Sequence, residues 1–156
     1  MTTTLEDVRT VHAAVENVST LSGPEGAQAI AALIEEAQQL HSRWLNIARA
    51  RMLSDAKFIN GESIRKLAAK LDKSPNAISL WIKDYGPKQY VTVHQDTTDP
   101  DSPKYEIKLV PPKDIRELLG AGRRVAPAVL GLYDNEDGLL YEGSAQDLWH
   151  QLASQA

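Results

Sequence analysis

Asn76, Ser79 and Lys83 follow one another at steps of three and four residues within the stretch PNAISLWIKDYG, from Pro75 to Gly86. At that spacing they share one face of a helix. Their common chemistry is hydrogen bonding. The Asn carboxamide sets a donor beside an acceptor, Ser offers a hydroxyl that does both, and Lys carries N–H donors with a positive charge. Pro75 and Leu80 add apolar surface to the same side. Ser74, Arg65, Lys66, Lys73 and Lys88 lie around this face, with Arg49 and Arg51 further upstream. Such cations suit an anionic partner, and a paired donor and acceptor suits the edge of a flat heterocycle.

Other chemistry finds no residues to carry it. The histidines His12, His41, His94 and His150 are scattered without metal-ligand spacing. His12 and His41 fall on helix faces, where packing or solvent contact accounts for them. The chain has no cysteine, which rules out disulfides and thiolate metal sites and suits a reducing compartment. GAGRR, from Gly120 to Arg124, lacks the strand and lysine context of a phosphate loop. Asp134, Glu136 and Asp137 lack EF-hand spacing and read as a solvated turn. No nucleophile motif surrounds any Ser or His. The expectation is a protein that is not an enzyme and needs no cofactor.

The element that must position Asn76, Ser79 and Lys83 is a pair of short helices between Gly61 and Gly86. Ser63 is the expected cap of the first, whose apolar positions Ile64, Leu67, Ala68 and Leu71 lie on one face. Asp72 and Lys73 make the turn. Ser74 is the expected cap of the second helix, with Pro75 at its first position, where a missing N–H removes no bond. Ile78, Trp81 and Ile82 form the inward face, and Trp81 is expected in the core. Pro75, Asn76, Ser79, Leu80 and Lys83 then point outward, in the manner of a helix that fits the B-DNA major groove.

This segment resembles the helix-turn-helix family, which includes bacterial repressors and region 4 of sigma factors. Leu67, Ala68 and Leu71, then Ser74, Ala77, Ile78 and Trp81, carry the resemblance. Ala68 stands where the family keeps a small residue for a close helix crossing. Asp72 replaces the usual glycine, which a residue tolerant of left-handed backbone allows. Lys73 replaces a small aliphatic residue and must reach outward. A longer stretch, residues 24–86, is similar to actinobacterial DNA-binding proteins in which a long helix, Arg-rich toward its end, feeds such a motif. The resemblance implies base contacts from Asn76, Ser79 and Lys83, with apolar contacts from Pro75 and Leu80. It implies phosphate contacts from Arg65, Lys66, Lys73 and Lys88, with Arg49 and Arg51 as additions.

Charge distribution agrees with that placement. The net charge is −4, yet residues 43–90 hold ten Lys or Arg against four acids. Residues 91–156 hold six bases against eleven acids. Upstream, Leu5, Val8, Val11, Val15 and Val18 predict a helix capped by Thr4, which STLSGPEG ends. A long helix is expected over residues 24–56. Its positions Ile30, Leu33, Ala37, Leu40, Trp44 and Ile47 keep a heptad seam that can pack on the first helix or on a second copy. Downstream, Tyr90 to His94 and Tyr105 to Leu109 alternate at period two around the acidic turn DTTDPDSP. A short helix from Lys113 to Leu119, a strand within 124–133, a strand at LLYEG and a helix capped by Ser144 complete a ββαββα unit.

The fold expected is α+β. A helical region, 1–88, with the helix-turn-helix at 61–86, precedes a small domain, 89–156, for dimerisation or partner binding. No apolar run reaches membrane-spanning length and MTTTLEDV lacks signal-peptide character, so a cytoplasmic, nucleoid-associated location is expected. The leading functional expectation is a sequence-specific regulator, a repressor that binds double-stranded DNA as a homodimer, of bacterial, phage or plasmid origin. Two rivals use the same scaffold. One is an accessory protein for DNA packaging or recombination. The other is a protein-interaction module whose acidic C-terminal unit takes a protein partner.

Overall fold

The structure, a computed structural model, describes residue 13, residues 23–134 and residues 136–155. The expected N-terminal helix at residues 4–18 lies outside these, apart from residue 13. The fold is α+β. A 36-residue helix, α1 (Gly23–Phe58), leads into α2 (Ile64–Leu71), α3 (Pro75–Tyr85), β1 (Tyr90–Asp96), β2 (Lys104–Val110), α4 (Ile115–Gly120), β3 (Arg124–Val125) and α5 (Ala145–Ala153). Two compact units divide between Leu45 and Asn46, inside α1. In the first, Ile30, Leu33, Ala37 and Trp44 of the heptad seam are half-buried, while Leu40 is exposed.

The second unit, residues 46–156, is built on two apolar clusters. Leu53, Leu67, Ala68 and Ile78 make the smaller one, with Ala56, Ile64, Trp81 and Ile82 packed around them. The last turns of α1 thus supply the back wall for α2 and α3. The larger cluster joins Tyr90, Val91 and Val93 of β1 to Ile115, Val125, Tyr133, Leu148 and Leu152, and Phe58 and Ile59 pack against it.

The sheet has the order β2-β1-β3, antiparallel throughout, with Val93 opposite Ile107 and Thr92 opposite Val125. Its period-two pattern is explicit in β2. Tyr105, Ile107 and Leu109 are half-buried on one face, and Lys104, Glu106 and Lys108 are exposed on the other. Tyr105 lies 6.3 Å, between ring centres, from Trp149 of α5.

Two expected strands shrink. The strand in the 124–133 segment ends at Val125 with one further bond, Ala126 N–H to the Val91 carbonyl, and Pro127, which has no N–H to donate, precedes a 3-10 turn at Ala128–Leu130. LLYEG contributes a single bridge, Leu139 to Tyr133. The expected helix after Pro111 begins as a 3-10 turn, Pro112–Asp114, and continues as α4.

Candidate nucleic-acid interface

Both short helices start as the sequence requires. Ser63 accepts a hydrogen bond from the Lys66 N–H at 3.2 Å, and Ser74 from the Ala77 N–H at 3.1 Å. Each cap satisfies a donor that a helix start leaves without an internal partner. Pro75 follows at the first helical position.

The turn is tight because Asp72 takes left-handed backbone, φ 51° and ψ 49°. That conformation lets the Lys73 N–H reach the Ala68 carbonyl at 3.0 Å and the Asp72 N–H reach Ala69 at 3.4 Å. The pattern is a Schellman closure formed without glycine. Upstream, Gly61 also has positive φ, +73°, and the Arg116 guanidinium occupies the space a Cβ there would need. A side chain at 61 therefore meets backbone strain, while the flexible, exposed Arg116 can move aside.

The inward face differs from expectation at two positions. Ile78 is fully buried, but Trp81 is only half-buried, its ring covered by the Arg49 guanidinium at 3.4 Å from the centroid. Leu71 is 44% exposed, because α2 meets its neighbours a turn earlier, at Leu67 and Ala68.

The outward face carries the residues singled out in the sequence. Ser74, Pro75, Asn76, Ser79, Leu80 and Lys83 are all exposed, Leu80 at 44%. Arg65, Lys66, Lys73 and Lys88 are exposed as well. Lys66 and Lys70 share Glu62 at 3.7 and 2.7 Å, holding its carboxyl below the usual carboxylate range. Solvent screens such exposed pairs, so Lys66 is free to exchange Glu62 for another anion. The Lys88 backbone is pinned, since its N–H and that of Gln89 both donate to Asp137 Oδ1.

Arg49 and Arg51, expected as added phosphate contacts, are engaged within the protein. Arg49 donates to Asn46 Oδ1 besides covering Trp81. Arg51 donates to the Tyr133 carbonyl at 3.0 Å and lies over the Tyr133 ring. Cation–π attraction and a carbonyl acceptor hold them where the resemblance implied added phosphate contacts.

Sequence reasoning missed Asp55. Its carboxylate is buried and accepts from the Tyr90 hydroxyl at 2.9 Å, the Ala128 N–H at 2.8 Å and the Val129 N–H at 3.2 Å. Burial raises its pKa from the ordinary value, against the lowering effect of these bonds and of Arg51. Asp55 ties the helix behind α2 and α3 to β1 and to the segment after Pro127. Its partners lie 35 to 74 positions away in the chain, so no local pattern marks it.

Among the described residues no group of His, Asp or Glu is placed to hold a metal ion. None of their helices is long and apolar enough to cross a membrane. No protein-family model, curated protein or solved structure matches the chain.

Proposed function

We propose that the chain binds double-stranded DNA sequence-specifically, with α3 in the major groove, and acts as a transcriptional regulator of the repressor type. The observation that carries this reading is the division of α3 into two faces. Ile78 anchors one face, while Asn76, Ser79 and Lys83 stand exposed on the other, their side chains without a hydrogen bond to a described residue. A helix held from behind with free polar groups in front has the build of a groove reader. Exposed Arg65, Lys66, Lys73 and Lys88 supply cations for phosphate contacts that set register. Exposed Ile34 and Leu45 on α1, at 52% and 67%, offer apolar surface for a homodimer, which would read an inverted repeat.

A mobility-shift titration against the DNA flanking the protein's own gene, at several salt concentrations, tests the reading. Expected is a retarded complex that outcompetes random duplex and weakens steeply with salt. Equal affinity for flanking and random DNA would remove sequence-specific regulation and favour a nucleoprotein accessory role.

A further inference from the structure

Which bases α3 can reach depends on how the helix is rolled about its axis, a roll that Ile78 and the half-buried Ile82 hold from one side. A second anchor comes from α1. The Arg49 guanidinium sits 3.4 Å from the centre of the Trp81 ring, and its Nη2 donates to Asn46 Oδ1 at 3.0 Å. Arg49 Nε is buried with no acceptor among the described residues, so the Trp81 ring is the partner that the guanidinium has there. The face of the indole, the best of the aromatic rings at attracting a cation, supplies the compensating interaction.

We infer that Arg49 is a positioning residue. It clamps Trp81 to α1 and so fixes the roll of α3 that presents Asn76, Ser79 and Lys83 together. This rests on the DNA-binding reading above and adds to it a residue that touches no DNA. The planar guanidinium matters more than the charge, because an ammonium is a compact, strongly hydrated point that does not stack. Arg49→Lys therefore isolates the clamp, and Arg49→Gln removes charge and stacking together.

Two measurements on the full chain test the inference. In protein labelled with 5-fluorotryptophan, the Trp81 fluorine resonance, assigned with Trp81→Phe, should move in both variants while those of Trp44 and Trp149 stay. In parallel, wild type and variants select duplexes from a random library, and the enriched pool is titrated against scrambled duplex. Both variants should lower the ratio of enriched to scrambled affinity by about three- to tenfold, with an unchanged salt slope and a urea midpoint lowered only by the loss of one cation–π contact. A fixed Trp81 resonance would overturn the clamp. A salt slope reduced by about one unit in Arg49→Gln alone would make Arg49 a phosphate contact instead. A matched loss of midpoint and of affinity for both pools would reduce Arg49 to general stability and overturn the positioning role. Failure of the wild type to enrich any sequence would overturn the DNA reading itself, while the fluorine shift still decides the contact.

Discussion

The unit from Asn46 onward contains two hairpins of opposite character. One is helical, α2 and α3; the other is the β1–β2 ribbon with its acidic tip. In the ribbon several polar groups satisfy one another, although the buried His94 Nδ1 has no partner among the described residues. Asp96 accepts from the Thr98 N–H and hydroxyl, Asp99 accepts from the Asp101 N–H, and Arg123 bonds both Thr92 and Glu106. In the helical hairpin the bonding goes only to the caps and the Glu62 pairs, and the front of α3 is left open. At its tip and beside Arg123 the ribbon's polar surface is thus committed to its own structure. The helical hairpin keeps its polar surface available, and only a hairpin anchored from behind can do that without unfolding.

That anchoring is where the largest effect is expected. Ile78→Ala removes the one fully buried side chain of α3 and should destabilise the protein by about 2–5 kcal/mol, measured by urea unfolding. Val93→Ala, in the core of the ribbon, is the matching change. Should Ile78→Ala lose less than 1 kcal/mol, roughly the low end for removing a single methylene, α3 is not held as described.

Asp55 sharpens the comparison, since it binds α1, the wall behind the helical hairpin, to β1 of the ribbon. Asp55→Asn places an amide donor against a backbone N–H and should lose about 1–3 kcal/mol. The pH dependence has a definite sign. A carboxyl whose pKa is raised on folding binds its proton more tightly in the native state. Its contribution is therefore fully present below the unfolded value, near 3.8, and declines as pH rises through the higher folded value. The gap between wild type and Asp55→Asn should narrow from acid toward neutral pH. Urea midpoints across that range read it directly, and a gap that widens would mean that the hydrogen bonds outweigh burial.

What could be read in the chain divides along the same line. Caps and local turns were legible at Ser63, Ser74 and Ser144, and Asp72 adopts the left-handed turn its side chain permits. Each depends on residues within a turn or two. The outward phase of Asn76, Ser79 and Lys83 was legible for the same reason. The cover over Trp81 was not, because apolar periodicity assigns a tryptophan to the core without saying what lies on its ring. Arg51 and Asp55 were illegible too, since their partners Tyr133, Tyr90 and Ala128 come from distant segments. Pro127, which has no N–H to give to a ladder, marks where the third strand ends, whereas nothing local distinguished LLYEG from a paired strand.

On the open front of α3 the expected effect is in recognition alone. Asn76→Ala should reduce discrimination against the wrong base by about 1–3 kcal/mol, the range for a bidentate contact to adenine. The unfolding free energy, read by urea, should stay within about 0.5 kcal/mol of wild type, as for exposed positions outside the core. Equal loss on enriched and random duplex would move Asn76 from base reading to positioning on the backbone.

The smallest expected effect separates the two hairpins by charge. Lys73 on the helical turn and Lys104 at the base of the ribbon are both exposed lysines. If only the helical hairpin faces DNA, Lys73→Ala should lower the slope of log affinity against log salt by about one unit, through one fewer released counterion. Lys104→Ala should leave that slope unchanged, because it stands opposite Asp96 in the register and close in sequence to Asp99 and Asp101, whose charges repel phosphate. Affinity for enriched and random duplex should fall together in Lys73→Ala, since a phosphate contact carries no base preference. A slope change from Lys104→Ala equal to that from Lys73→Ala would place the ribbon against DNA as well. The asymmetry between the hairpins would then lie in how each is built and not in which one binds.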